Sequence, residues 1–405
     1  SFLQEHGGGE SRQYSARILI TQGLRIQPGW ERIEIEWEAV SQRLHSMVTG
    51  LKRLEAALSD ITDSYDLQDG EDLVMRIRML RRDIADIRRN ADELIFDPSD
   101  ETIYWAELPV KGDRILLHAA PLQVGPLVQE HVFHQKDSVI LTSATLQTSF
   151  PGSDGRSGFD YIRERLHAWE ADELAVGSPF DYESSTLLYL PTDIPEPRQP
   201  GYQRLIESSL IALVTALRGR TMVLFTSYSQ LRQTGNAIRG ALADAGVTLY
   251  QQGEGISRQQ LLESFRAAEE TSSMAVLFGT RSFWEGVDIP GPALSCVVIV
   301  KLPFDVPSDP IFRARQESFE NPFYEYAVPE AVLRFRQGFG RLIRAKTDRG
   351  VVVSMDKRLL TKGYGRFFLE ALPRCTVQRG TIASMAKAAA AWINSATGLP
   401  VAGRE

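Results

Sequence analysis

The sequence predicts an α/β fold: a parallel sheet covered by helices on both faces, joined to an antiparallel helical hairpin. Three observations predict it. Beyond residue 180, short β-branched runs alternate with amphipathic helical stretches, the rhythm of a parallel sheet with crossover helices. Between Trp30 and Leu94, two apolar seams at alternating steps of four and three flank a short polar stretch. Several predicted strands end abruptly in hydroxyl or glycine residues, which a parallel sheet gathers along its carboxyl edge.

Taken in order, Gly7-Gly8-Gly9 reads as a loop, and 16–21 as either a short strand or a helix end. The first seam is Ile33, Trp37, Val40, Leu44, Met47, Leu51, Leu54, Leu58 and Ile61. The second is Leu73, Ile77, Leu80, Ile84, Ile87, Ala91 and Leu94. The polar stretch 62–70 joins them, so the two arms, each roughly 35–45 Å long, fold back on one another. The second arm carries Arg76, Arg78, Arg81, Arg82, Arg88 and Arg89. Such arginines either line a phosphate backbone or, more commonly, are solvated or pair with acidic neighbours.

The runs 102–108 and 114–119 read as paired strands turning at Lys111-Gly112-Asp113, and 126–133 as a short helix. The run 137–146 is apolar and ends in Ser143-Ala144-Thr145; it predicts a buried strand that delivers Ser143 and Thr145 to a sheet edge. A helix at 158–169 and the joint Gly177-Ser178-Pro179-Phe180-Asp181 precede a domain boundary near 180. Strands are predicted at 184–190, 221–228, 247–251, 273–279, 295–300 and 351–356. Helices are predicted at 202–217, at 229–245 with Ser229 as cap and Gly246 as stop, at 257–268, and at 382–394.

Length and composition are those of a soluble globular chain of two or three domains: 405 residues with a formal charge of −7. The charge argues against a generally basic nucleic-acid coat but permits a local basic groove. Only Cys296 and Cys375 are present, too few and too far apart for a zinc or iron–sulfur site, so no metal ligands are assigned. Low cysteine content fits a reducing cytosol, and no apolar run reaches membrane-spanning length, so a cytoplasmic protein without membrane contact is expected.

The chain is organised around Gln337-Gly338-Phe339-Gly340-Arg341-Leu342-Ile343-Arg344. A helix through 331–336, opened by Pro329-Glu330, would put Arg341 and Arg344 on one face, with Gly340 permitting close backbone approach. Paired guanidinium groups match a multiply charged phosphate, although an isolated Arg-x-x-Arg is usually a solvated surface. The strand ends Thr226-Ser227, Gly279-Thr280 and Ser354 would share one crevice, and Glu285 and Asp288 could orient an arginine, a ribose or a metal-bound water. No Gly-x-x-x-x-Gly-Lys-Ser/Thr loop and no Asp-Glu-Ala-His box occurs in the sequence.

Four stretches, in order, resemble helicase motifs III to VI: Ile140-Leu141-Thr142-Ser143-Ala144-Thr145-Leu146, Val223-Leu224-Phe225-Thr226-Ser227-Tyr228, Phe278-Gly279-Thr280 through Pro290-Gly291, and Gln337 through Arg344. With Gly177-Ser178-Pro179-Phe180-Asp181 and Lys301-Leu302-Pro303-Phe304-Asp305, they resemble the DinG branch of the XPD-like superfamily-2 DNA helicases. The resemblance implies an Arch insertion at 1–100 with hairpin arms 30–61 and 71–95. It implies the carboxy-terminal part of a first motor domain at 101–180 and a second RecA-like motor domain at 181–405. Ser143, Thr145, Glu285, Gly286 and Asp288 would couple nucleotide and DNA sites. Thr226, Ser227, Gly279 and Thr280 would touch single-stranded DNA. Gln337, Arg341 and Arg344 would face the γ-phosphate, the two arginines as fingers.

The implied activity is ATP- and Mg2+-dependent 5′–3′ translocation on single-stranded DNA, in repair or replication. Motifs I and II are absent from the sequence, and so are the cysteines of the family's iron–sulfur cluster, which is expected upstream if present. The expectation is therefore a carboxy-terminal portion that lacks the amino-terminal part of its first motor domain and does not hydrolyse ATP alone. Competing readings are a non-catalytic nucleic-acid-binding or adaptor module, an interaction protein acting through the 30–95 hairpin, and an RNA-directed helicase.

Overall fold

The computed structural model describes residues 2–3, 16–65, 69–109, 114–147, 158–284, 286, 288–289 and 291–395. They form two compact units, Ser1–Val124 with Val306–Ser318, and Gly125–Asp305 with Phe319–Glu405. The expected loops at Gly7-Gly8-Gly9 and Lys111-Gly112-Asp113 lie outside the described residues, as does Glu285.

The first unit holds a three-stranded antiparallel sheet, β1 (Ala16–Leu19), β2 (Thr102–Leu108) and β3 (Leu116–Pro121), with β2 central. The hairpin arms are α1 (Pro28–Tyr65) and α2 (Gly70–Ile95). Trp30, Leu94, Ile95, Tyr104 and Ala106 pack where the hairpin meets the sheet. There Arg25 stacks on the rings of Trp30 and Tyr104, 4.9 and 5.6 Å from their centroids, and donates to the Leu94 carbonyl at the end of α2. The guanidinium thus satisfies a carbonyl that the helix end leaves open.

The arms form as predicted, but the seam between them differs. Val40, Met47, Leu54 and Ile61 are 42–52% exposed, and Leu73, Leu80 and Ile87 are 45–59% exposed. Ser41, Val48, Glu55 and Thr62 take the interface positions instead, one residue further round α1. The cause is polar. Asp92 accepts from Trp37 Nε1 at 2.8 Å and Ser41 Oγ at 3.0 Å, and Arg78 and Arg81 both donate to Glu55, at 2.7 and 2.8 Å. These bonds fix the rotation of each arm, because turning either one would strand half-buried charges. All six arginines of α2 pair with carboxylates: Arg76 with Asp72, Arg78 and Arg81 with Glu55, Arg82 and Arg89 with Asp86, and Arg88 with Asp92. The paired reading of that row is the one realised.

The second unit is built on a parallel sheet of β4 (Thr186–Pro191), β5 (Thr221–Leu224), β6 (Val247–Gln251), β7 (Met274–Gly279), β8 (Cys296–Ile299), β9 (Gly350–Ser354) and β10 (Thr376–Gly380). The order across it is β10-β4-β9-β8-β5-β7-β6. The helices used below are α3 (Asp160–Leu166), α4 (Tyr202–Ala216), α5 (Tyr228–Asp244), α6 (Arg258–Glu270), α7 (Val328–Phe339) and α8 (Ile382–Asn394). Leu210, Leu213, Leu231, Leu242, Met385 and Ala389 place α4, α5 and α8 against one face. Leu261, Phe265, Val332 and Phe335 place α6 and α7 against the other. Strands covered on both faces read as unbroken apolar runs, and Val351, Val352 and Val353 are fully buried. The expected parallel α/β fold is the one observed.

Two local expectations need correction, and one strand was not foreseen. The run 137–146 is not a strand: neither sheet takes it in, and Ile140 is 87% exposed. An apolar run becomes a strand only where a neighbour accepts its ladder of amides. The cap of α5 is Ser227, whose side chain accepts from the Gln230 amide, so the helix begins two residues earlier than Ser229 implies. Edge strand β10 carries no apolar signal, its three central side chains being exposed.

Candidate functional site at the carboxyl edge of the sheet

Parallel strands place their carboxyl ends along one edge, and β9, β8, β5 and β7 are consecutive neighbours. Ser354, Lys301, Thr226-Ser227 and Gly279-Thr280 therefore follow one another along that edge. Thr226 and Ser227 are half-buried. The Ser227 oxygen accepts from the Gln230 amide at 3.3 Å, which leaves its own hydrogen free to donate.

Thr280 is held differently. Its amide and its hydroxyl both donate to Gln252 Oε1, each at 2.8 Å. Gln252 follows β6, and its Nε2 donates to Ser282 Oγ at 3.2 Å. This glutamine was missed in the sequence because it belongs to no motif; its only signal is its place after a predicted strand. Gly279 lacks a side chain for steric reasons, since a Cβ would stand 2.3 Å from the Phe283 ring.

The helix expected to carry both arginines stops early. α7 ends at Phe339, with Gly340 as its cap, so Arg341 lies in the following turn and Arg344 beyond it. The arginines do not share a helix face. The buried Asp348 explains the departure: its Oδ2 accepts the amides of Arg344 and Ala345, both at 2.8 Å, and so competes with continued helix. Gly340 was assigned the close approach, but a Cβ there meets only carbonyl oxygens at 3.4 and 3.6 Å. The close approach belongs to Gly338, where a Cβ would stand 2.8 Å from Trp284 and 3.2 Å from Leu224. Trp284 in turn donates its Nε1 to the Phe225 carbonyl at 3.3 Å, so the ends of β5, β7 and α7 form one packed block.

Arg344 Nε and Asp288 Oδ1 form an ion pair at 3.3 Å, with Asp288 largely exposed. Of the two expected carboxylates, Asp288 therefore does orient an arginine. Gly286 has φ +62, in the left-handed region, where a side chain would also crowd Arg258. Arg341 Nε donates to the Gln337 carbonyl at 3.1 Å. The side-chain oxygen of Gln337 is buried without a hydrogen-bond partner among the described residues. Ser143 and Thr145 hydrogen-bond to each other at 3.0 Å in the exposed, irregular run.

The opening turns of α7 are tied to the same edge. Arg334 donates to Asp305 at 2.7 Å, and Arg281, next to Thr280, reaches Asp305 at 3.4 Å. Glu330 accepts from the Tyr161 hydroxyl of α3 at 2.5 Å. Burial, and then the charge of Glu330, push the Tyr161 phenol well above the ordinary tyrosine range, so it stays a donor. Burial also pushes the Cys296 thiol far up and that of Cys375 up to about 11, which makes both inert at neutral pH.

Among the described residues, no group of three or more His, Cys, Asp or Glu is placed to hold a metal ion. The guanidinium groups match an anion such as a phosphate, whereas a magnesium site is not supplied by the described residues. No helix among the described residues is long and apolar enough to cross a membrane.

Residues 210–375 match the family described as helicase C-terminal domain. The chain is 32% identical over 356 residues to the 3′-5′ exonuclease DinG of Bacillus subtilis (strain 168), covering 84% of this chain and 37% of that protein. It is 38% identical over 280 residues to the ATP-dependent DNA helicase YoaA of Haemophilus influenzae, covering 68% of this chain and 41% of that one. A solved XPD helicase aligns over 81% of this chain and 56% of its own, with 16% identity and a TM-score of 0.48. The chain thus spans about two fifths of the length of these curated relatives. Residues 210–375 are thus a helicase C-terminal domain, carried by a chain that is similar to DinG and YoaA over about two fifths of their length.

Proposed function

We propose that the chain is the carboxy-terminal part of an ATP-dependent DNA helicase that moves 5′ to 3′ along single-stranded DNA. In this reading 1–100 is the Arch insertion, 101–180 the end of the first motor domain and 181–405 the second. The observation that carries the proposal is the joining of two chemistries on one rigid block. Strand-end hydroxyls at Ser227 and Thr280 line one sheet edge, and within the same unit Asp288 pairs with Arg344.

Ser227 has a free hydrogen for a DNA phosphate, and Thr280 gains one only when Gln252 releases it. That exchange gives the DNA contact two discrete states. The Asp288–Arg344 pair holds the guanidinium ready, and a γ-phosphate competing for Arg344 would loosen Asp288, so each site biases the other. Arg341 and Arg344 would stabilise the charge that develops on the transferred phosphoryl group. ATP bound with Mg2+ supplies the hydrolysable phosphate; the magnesium ligands and the phosphate cradle are proposed to come from outside this sequence. The iron–sulfur cluster of the family has no ligand set here, and no role is derived for it.

The test is made in the full-length protein. Arg344→Ala and Arg341→Ala should each lower DNA-stimulated ATP hydrolysis by roughly 100-fold or more while single-strand binding holds. Unchanged hydrolysis in both variants would refute the finger role. ATP hydrolysis by the present chain alone would refute the divided active site.

A further inference from the structure

From α3 to the turn after β7 runs a row of alternating charges: Arg165, Glu330, Arg334, Asp305 and Arg281. We propose that it is an ionic clasp, in which α3 locks onto α7 through Glu330 and its release passes down the row to tie up Arg281. Tyr161, Arg165 and Glu330 are then positioning residues, remote from both the phosphoryl chemistry and the strand. This rests on the helicase reading above, in which α3 ends the first motor domain and α7 belongs to the second.

The clasp closes on one carboxylate. Glu330 stands in the first turn of α7, and three donors converge on it. Its Oε1 accepts from the Tyr161 hydroxyl at 2.5 Å and lies 3.6 Å from Arg165 Nη2, while its Oε2 lies 3.5 Å from Arg334 Nη2. Tyr161 and Arg165 are one turn apart, so a single face of α3 makes both contacts. The Arg165 guanidinium also stands 4.9 Å from the centroid of the Tyr326 ring and 5.7 Å from that of Tyr161. A helix of seven residues is too short to hold by itself, so α3 depends on what it docks against. A second tie joins the same parts of the chain: Arg336 of α7 donates to the Gln147 carbonyl.

The row can transmit because its inner members are shared. Arg334 Nη2 divides between Glu330 at 3.5 Å and Asp305 at 2.7 Å. Asp305 divides between Arg334, on Oδ2, and Arg281, on Oδ1 at 3.4 Å. The Arg334 and Asp305 side chains are 14% and 11% exposed, whereas that of Arg281 is 74% exposed. With the clasp closed, Arg334 satisfies Asp305 and leaves Arg281 loosely held beside Thr280, open to a phosphate. When α3 leaves, Glu330 loses Tyr161 and Arg165 and turns towards Arg334, because a largely buried carboxylate needs a partner. Arg334 is drawn off Asp305, and Asp305 takes Arg281.

Two ways of opening the clasp therefore have different effects at the far end. Loss of Arg165 leaves Glu330 pulling on Arg334 and ties up Arg281. Loss of the Glu330 charge opens the clasp equally but leaves Arg334 on Asp305, so Arg281 stays available. A contact that merely props up the fold would not separate the two.

Amide exchange in the present chain reads the clasp. Tyr161→Phe and Glu330→Gln should each speed exchange across 160–166 roughly tenfold, with 351–353 of β9 unchanged as the mark of an intact core. DNA-stimulated ATP hydrolysis in the full-length protein, with oligo(dT), reads the row. Arg165→Met should raise the oligo(dT) concentration for half-maximal stimulation roughly three- to tenfold with little change in kcat, and Arg165→Lys should restore most of the loss. Glu330→Gln should leave that concentration unchanged or lower it. Exchange at 160–166 that both variants leave unmoved overturns the clasp and leaves the helicase reading standing. Equal rises in Arg165→Met and Glu330→Gln overturn transmission along the row. Wild-type hydrolysis that oligo(dT) does not stimulate overturns the helicase reading and the role of Arg281, and exchange then decides the clasp alone.

Discussion

The hairpin and the parallel sheet bury their apolar residues to very different depths. In the sheet unit, Met222, Val297, Phe335 and Val352 have no exposure at all. In the hairpin, Met47, Leu54, Leu80 and Ile87 are more than half exposed, and the contact between arms runs through Asp92, Ser41, Glu55 and Arg81. The lesson concerns position. A sheet covered on both faces leaves its strand ends almost no freedom, so Ser227, Thr280 and Lys301 stand where the core puts them. A two-helix arm has one packed side, and there hydrogen bonds rather than shape decide the rotation.

The comparison can be broken most sharply at Phe335. Truncation to Ala, in a core where its ring meets Phe368 at 5.5 Å, should cost the sheet unit about 3–5 kcal/mol, read by denaturant unfolding. Met47→Ala on the exposed row should cost well under about 1 kcal/mol. Equal losses would show that the hairpin row is covered in solution.

A smaller effect tests the polar ladder. Asp92→Ala leaves Trp37 Nε1 and Ser41 without their acceptor and should destabilise the hairpin by about 1–2 kcal/mol, visible as faster amide exchange in α1 and α2. No change in exchange would mean that apolar contact alone sets the arms.

The smallest effect is a pH dependence. Hydrogen bonds from Arg78 and then Arg81 lower the pKa of Glu55. A carboxylate whose folded pKa is lowered gives stability that is present above its unfolded value and lost as pH falls through the folded value. Hairpin stability should therefore fall below the ordinary glutamate range, and Glu55→Gln should remove that part of the fall. Because Glu55 is only partly buried and its partner Arg78 is exposed, added salt should shrink the effect.

Much of this molecule was legible in the sequence because the signals were periodic or local. The alternation of apolar runs and helices gave the parallel sheet, and the strand-end hydroxyls marked the edge they share. The helix 382–394 was legible to the residue from its alanine-rich composition. The misses share a cause: each depended on what lay opposite. The 137–146 run has strand chemistry but no neighbour among the described strands. Gln252 and Gln230 are ordinary glutamines in the sequence and become hydrogen-bonding residues of the edge only through folding.

What the sequence determined by itself is most of the elements, their order and the family's motifs, since these follow from backbone preference and apolar period. What only the tertiary structure decided is where the charges point. Asp348 ended α7 before Arg341 and Arg344 could share a face, and Asp288 then took Arg344. Hydrogen bonds and ion pairs act over about 3 Å and between residues far apart in the chain, so the fold must bring them together before they can choose partners.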